Sequence, residues 1–420
     1  MKLLTVNTLE EAREKLWGFA RSLPIKSETI PLCATKDLRS PCGPGSAIDR
    51  ITAEDIYVSC DIPGFSRSTV DGYALVAADT AAAGEAIPVF LRQAGKVVMG
   101  KPAGFAIRKG ECAYVPTGGM LPEGADAVVM VEYCDNAGGN ILVNEAVSSG
   151  SGIALAGEDI RKGDLLLKRG TFIRPQETGA LAAAGITEVP VYLPLKLSII
   201  STGDELVPPG QNPGPGEIRD VNSYALKTLA QKRGFSVEQV MALPDDECRL
   251  EAALRKAMEL SDVVIISGGS SQGEKDTTAA IIGRAARPGV FTHGLALKPG
   301  KPTILGWDEG SRTVLAGLPG HPVAAMIVFE LLFGWFCRML FGFPAPFAVP
   351  AKISCNVPGS PGRAVCQPVI LRLEDGVYSA DPVFGKSGMI TTLTRADGYI
   401  IIDLNKEGLK KDEPVLVHLF

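Results

Sequence analysis

At about 150 residues per domain, a chain of 420 residues predicts two to four hydrophobic cores. Its 46% hydrophobic and 21% charged residues are an ordinary folded composition and exclude a disordered or fibrous chain. Lys and Arg number 42 against 47 Asp and Glu, a net charge of −5, so no basic nucleic-acid groove is expected.

Residues 7–20 predict a helix capped by Asn7 or Thr8, with Leu9, Ala12, Leu16 and Phe19 as its apolar stripe. Residues 40–80, dense in Gly, Pro, Ser and Asp, predict a long structured loop between short strands. Short β-type runs at 113–115, 127–132 and 141–143 predict a β-rich insert. Residues 160–192 read as turn, strand (164–168), helix (175–184) and strand (187–192). From about residue 193 strands at 196–201, 237–242, 262–267 and 313–318 alternate with helices at 222–234, 246–260, 277–286 and from 322. That alternation predicts an α/β domain with a mostly parallel sheet. After Pro344 short strands return, at 351–357, 363–373, 377–380, 399–403 and 414–419, which predicts a small β-barrel.

The segment from Val323 to Phe343 is apolar but holds Glu330 and Arg338. It predicts a buried helix ending near Gly342 and Pro344, its charges at the ends or on an interface, and no membrane span. Nine cysteines, an odd number without a CxxC, predict reduced, packed thiols and neither a disulfide frame nor a zinc site. Glu10 and Glu11 come too early for a signal peptide, so a cytoplasmic protein is expected.

Three polar, glycine-rich loops directly follow predicted α/β strands, where open sheets bind ligands. In the first, Ser201-Thr202-Gly203-Asp204-Glu205, hydroxyl and free N–H groups suit an anion and the paired carboxylates a divalent cation; a capped helix start explains it equally well. In the second, Ser267-Gly268-Gly269-Ser270 leads to Asp276. Successive glycines let N–H groups converge on an oxyanion, and Asp276 is spaced to ligate a metal bridging it. A plain tight turn is the other reading, and neither GxGxxG nor GK[ST] occurs. The third is Gly317-Leu318-Pro319-Gly320-His321-Pro322, with Pro322 suited to a first helical turn. Ahead of it Lys298 and Lys301 are held between glycines and prolines, as suits lysines that meet an anionic ligand, and His293 lies close by. Nearer the N-terminus Asp61, Asp71, Thr117 and Asp159 stand in stiff turns, either as a second anion-and-metal region or as solvent-facing turn residues. These loops predict a phosphorylated small ligand with Mg²⁺.

The segments DIPGFSRSTVDGYA (61–74), PTGGMLPEGADAVVMVE (116–132), GEDI (157–160), STGDEL (201–206), SGGSSQGEKD (267–276), LKPGKP (297–302), GLPGHP (317–322) and GKSGMI (385–390) resemble the MoeA-type molybdopterin molybdenumtransferases. These are the molybdenum insertases that include the gephyrin E domain. The resemblance runs in order along nearly the whole chain. It implies insertion of molybdate into adenylylated molybdopterin, with Mg²⁺-assisted cleavage to AMP and molybdenum cofactor. It also implies a four-domain homodimer sharing its active site between subunits. The division is an elongated dimerisation domain (1–47 with 146–192), a β-rich insert (48–145), a three-layer α/β molybdopterin-binding domain (193–343) and a β-barrel (344–420).

By resemblance Asp61, Thr117, Asp159, Glu205, Asp276 and Lys298 are the catalytic candidates, with Glu205 and Asp276 at the metal. Thr202, Gly203, Asp204, Asp246 (or Asp245), Ser267, Gly268, Gly269, Ser270, Lys301, Pro319, Gly320 and His321 are candidates for holding the cofactor. Arg363 and Ser387 match barrel positions linked to molybdate handling or cleft closure. His321, Ala324 and Gly294 depart from the family's common residues. A molybdopterin adenylyltransferase and molybdoenzyme apoproteins are the implied transient partners. The alternatives are a tungstate-preferring insertase, an adenylyltransferase, a metal-dependent phosphohydrolase and a scaffold of the same fold.

Overall fold

The computed structural model describes residues 6–33, 45–268 and 275–420, except the side chains of Lys275 and Asp276. Two compact units emerge: residues 29–191, and residues 1–28 with 192–420.

The 29–191 unit is β-rich. Its six-stranded sheet runs in the order Ala127–Met130, Gly72–Leu75, Glu111–Val115, Val89–Lys96, Asn140–Val143, Cys134–Ala137. Neighbouring residues point to opposite faces, as the pleat requires. Leu75 and Val129 join one core group, while Ala74 and Val128 join another. A further core of Ile30, Ile56, Ile173, Leu181, Val189 and Val191 includes Leu181 of the helix Pro175–Ala183.

The other unit begins with helix α1 (Leu9–Ala20). Thr8 caps it: the Thr8 hydroxyl accepts the Glu11 N–H and the Glu11 carboxylate accepts that of Thr8. There follow β1 (Lys196–Thr202), α2 (Asn222–Lys232), β2 (Ser236–Leu243), α3 (Glu247–Leu260), β3 (Val263–Gly268), α4 (Lys275–Ala285), β4 (Pro288–His293), β5 (Leu297–Lys298), β6 (Ile304–Asp308), β7 (Thr313–Leu318) and α5 (Pro322–Phe329). The sheet order is β2-β1-β3-β7-β6-β4. Pairing is parallel from β2 to β7 and antiparallel for β6 and β4. Helices α3 and α4 pack together, as do α2 and α5. Their cover explains why β3 and β7 are apolar at successive positions, since strands buried on both faces lose the alternation.

Alternation predicted the parallel half and missed β4 and β6. Both are short, broken by Gly289 and Gly306, and set by pairing with β7 more than by their own pattern.

Helix α5 continues through a π turn (Glu330–Gly334) into α6 (Trp335–Phe341) and stops at left-handed Gly342, φ 81°, as predicted. The stretch Pro322–Phe341 is long and apolar enough to cross a membrane by length and composition, and most of it is packed inside the protein. Glu330 corrects the expectation for the charges. It sits in mid-helix, 4% exposed, with Arg233 at 2.6 Å and Arg338 at 3.7 Å. Gly334 leaves the room: a side chain there would come within 3.1 Å of both carboxylate oxygens.

The C-terminal strands are β8 (Ala348–Ile353), β9 (Ala364–Glu374), β10 (Val377–Pro382), β11 (Gly398–Ile402) and β12 (Pro414–Leu419). The order β9-β10-β8-β12-β11 is closed by β9 pairing with β11, around Ile353, Val369, Ile400 and Val417. This is the predicted barrel. Strand β5 joins it from outside, Leu297 opposite Ala364 and Lys298 opposite Val365.

Candidate functional site

A cavity of about 470 Å³ opens at the carboxyl ends of β1, β3 and β7. Thr202, Glu205, Asp245, Ser267, Gly268, Gly320 and His321 line it, so the three predicted loops do converge. Asp220 and Asn222 line it too.

Its floor depends on close backbone approach. Thr202 of β1 lies opposite Gly268 of β3. Gly268 has φ +136°, and a β-carbon there would run into the Thr202 carbonyl oxygen and lie 2.7 Å from its hydroxyl. Beside it the Glu205 carboxylate fills the space next to Gly203, 2.6 Å from where a β-carbon would stand. Asp204 and Asp245 brace each other: the Asp245 N–H donates to Asp204 Oδ1 at 3.1 Å, and the Asp204 N–H to Asp245 Oδ2 at 3.4 Å.

Asn222 ties two loops together. Its Nδ2 donates to Ser267 Oγ at 2.8 Å and to the Gly320 carbonyl at 2.7 Å. A carbonyl only accepts, so the amide orientation is fixed. The Asn222 Oδ1 is then buried with no hydrogen-bond partner. From the barrel, Ser387 reaches the third loop. Its hydroxyl lies 2.7 Å from His321 Nδ1, and its carbonyl accepts the N–H of Val323 in the first turn of α5 at 3.2 Å.

Other predicted residues lie elsewhere. Asp246 caps α3, its Oδ1 accepting the Arg249 N–H at 2.9 Å, and does not line the cavity. Asp204 is engaged with Asp245. Lys298, Lys301 and Arg363 are exposed and also outside the lining, Lys298 on β5 and Arg363 next to its partner strand β9. Pro319, within the third loop, is buried and outside the lining, and His293 is half-buried at the end of β4. Gly269, Ser270 and the Asp276 side chain lie outside the described residues.

In the 29–191 unit Asp61 Oδ1 accepts the Lys162 N–H at 2.8 Å, and the bridge Ile62–Ile160 brings Asp61 beside the turn bearing exposed Asp159. Asp71 Oδ1 accepts both the N–H and the hydroxyl of Thr117, at 2.7 and 3.1 Å.

Sequence reasoning missed Asp220 and Asn222 as site residues. A signal existed: Asp220, Asn222 and Ser223 crowd one helix start, which needs a single cap. Beyond Asp220 lies a second cavity of about 310 Å³, walled mainly by apolar residues such as Val207, Pro208 and Val240.

Fold and cavity define a multidomain α/β protein with a polar cleft at the ends of its parallel strands. Family models match in sequence: "MoeA N-terminal region (domain I and II)" over residues 8–185, "Probable molybdopterin binding domain" over 198–336, and "MoeA C-terminal region (domain IV)" over 350–420. A molybdopterin molybdenumtransferase of Haemophilus influenzae is 32% identical over 419 residues, 98% of either chain. One from Bacillus subtilis is 30% identical over 380 residues, covering 89% of this chain and 88% of its own. A molybdopterin biosynthesis MoeA crystal structure from Pyrococcus horikoshii OT3 superposes with a TM-score of 0.84 at 31% identity, covering 99% of this chain and 100% of that one. The chain belongs to the MoeA family.

Proposed function

We propose that the protein is a molybdenum insertase: it takes adenylylated molybdopterin and molybdate, joins the metal to the dithiolene, and releases AMP and molybdenum cofactor. The observation that carries this is the 470 Å³ cavity, where three of the motif loops meet, in a chain that matches the H. influenzae transferase end to end.

The residues fit the chemistry. The Thr202 and Ser267 hydroxyls in the cavity wall are donors for phosphate oxygens. Among the described residues no three His, Cys, Asp or Glu side chains form a metal cage. Glu205 and Asp245 nevertheless give the cavity the hard carboxylate oxygens that Mg²⁺ takes, one or two at a time, with substrate phosphates completing its shell. Mg²⁺ held there would neutralise charge on the phosphoanhydride as the bond to AMP breaks. His321 and Ser387 form one hydrogen-bonded pair, which in either neutral tautomer leaves a single donor for an oxyanion, the imidazole Nε2–H or the serine O–H. We assign Asp61, Thr117, Asp159, Asp276 and Lys298 to catalysis as well, on the family match alone. The same support underlies a cytoplasmic homodimer as the working form, for which light scattering of the purified protein is the first check.

The deciding experiment incubates the protein with adenylylated molybdopterin, Mg²⁺ and either molybdate or tungstate, following AMP and the metal-dithiolene product. Oxyanion-dependent AMP release is expected, and the two oxyanions compared give the metal preference. AMP release indifferent to oxyanion, with no metal-dithiolene product, would sink the reading.

A further inference from the structure

Asn222 opens α2, yet none of its side-chain bonds goes to that helix. An asparagine at a helix start ordinarily caps the first turn. Here Asp220 Oδ1 already accepts the Ser223 N–H at 3.0 Å. Asn222 instead directs both amide hydrogens elsewhere, to Ser267 Oγ at 2.8 Å and to the Gly320 carbonyl at 2.7 Å. Those partners lie 45 and 98 residues along the chain. The Oδ1 that remains is buried without a partner, a costly state for an acceptor. The side chain is thus placed for what its two donors do, and not for its own satisfaction.

What they do follows from the chemistry of a hydroxyl. Ser267 Oγ carries one hydrogen and two lone pairs, and Asn222 occupies one lone pair. The amide cannot turn over to accept the Ser267 hydrogen, because its oxygen would then face the Gly320 carbonyl. The hydrogen is therefore excluded from the Asn222 side, and among the described residues it has no acceptor. Ser267 lines the 470 Å³ cavity near the end of β3.

We infer that Asn222 is a positioning residue for the proposed reaction: it holds Ser267 as a hydrogen-bond donor facing the cavity, and the Gly320 carbonyl keeps the amide from turning over. The inference rests on the proposed function, in which Ser267 holds a phosphate oxygen of the substrate. A free serine hydroxyl rotates, giving and taking hydrogen bonds in turn. One whose lone pair is engaged meets an anionic oxygen with its hydrogen forward, so little is lost to reorientation when the anion arrives. Polarity also explains why the position needs an amide. Aspartate has the same shape but no hydrogens; it would take the Ser267 hydrogen for itself and repel the Gly320 carbonyl. Alanine would leave the hydroxyl free to turn.

The test is a double-mutant cycle on AMP release from adenylylated molybdopterin with Mg²⁺ and molybdate, with melting temperatures measured alongside. It uses Asn222→Ala, Ser267→Ala and the double variant. Ser267→Ala should lower kcat/KM about tenfold, the loss of one hydrogen bond to a charged oxygen. Asn222→Ala should lower it as much or more. In the Ser267→Ala background, removing Asn222 should cost at least about threefold less than in wild type, because the group it aims is already gone. A role confined to holding loops together costs the same in both backgrounds, and that result overturns the inference. Asn222→Asp should be at least as damaging as Asn222→Ala, and near-normal turnover in it also overturns the inference. Should the Asn222 variants not fold, Ser267→Ala decides alone, an unchanged kcat/KM counting against the inference. Wild type that releases no AMP sinks the proposed function itself, a result distinct from active wild type with additive variants.

Discussion

Two buried carboxylates in one unit have opposite surroundings. Glu330, 4% exposed, lies between Arg233 and Arg338. Asp220, 7% exposed, has backbone and hydroxyl donors and, among the described residues, no ion-pair partner. The first is finished within the fold: its partners come from the end of α2 and from its own helix. The second is held by neutral donors and stands between two cavities. Burial alone therefore does not say how an acid is held; the presence or absence of a counter-charge does.

The largest effect should come from breaking the finished pair. Glu330→Ala leaves two arginines without their carboxylate and should cost about 3–5 kcal/mol in denaturant unfolding. A loss below about 1 kcal/mol would mean water already serves those arginines. Next is Gly268→Ala, which places a methyl on the Thr202 carbonyl at a φ that alanine rarely adopts. It should cost about 1–3 kcal/mol and abolish most AMP release. Normal turnover would show that the cavity floor tolerates being pushed apart.

Asp220→Asn should move stability the other way. The amide keeps an acceptor for the Ser223 N–H and removes the unpaired charge, so the melting temperature should hold or rise, by up to about 1 kcal/mol in stability. A clear drop would mean Asp220 has a structural role like that of Glu330.

The smallest effect concerns pH. His418 stacks on Tyr399, ring centroids 5.4 Å apart. Burial, then the charges of Arg338 and Arg13, hold its pKa below the ordinary 6.5. The unfolded chain therefore takes up this proton first, and stability should fall as pH drops below about 6.5. His418→Gln should flatten that part of the curve of melting temperature against pH, whereas an unchanged slope would place the sensitivity elsewhere.

Much of this was legible in the sequence, for physical reasons. Strands β1, β3 and β7 announce themselves because burial on both faces demands continuous apolar residues. The three loops were legible because glycine and proline mark backbone that must approach a neighbour or turn sharply. Gly268 bears this out, its missing side chain explained by Thr202. What stayed hidden depends on distant partners. Glu330 looked like an interfacial charge because Arg233 is 97 residues away. Asn222 read only as the start of a helix, and Asp220 carried no reading, because their cavity is made by β1, β3 and the Gly320 loop together. Asp246, singled out for the cofactor, turned out to cap α3, a local role that the same residue type signals equally well.

The π turn at Glu330–Gly334 has a consequence for phase. An α-helix advances about 100° per residue, so the wide turn acts as one added residue and rotates all that follows it. Phe329 before the turn, Phe333 within it, and Phe336 and Cys337 after it are all buried with that slip in place. Deleting one residue there would restore a regular helix and turn α6 by about a quarter of a circle, carrying Phe336 and Cys337 away from the core. The helix is thus two apolar stripes set out of step, and the wider turn at the join gives Glu330 room to meet its arginines.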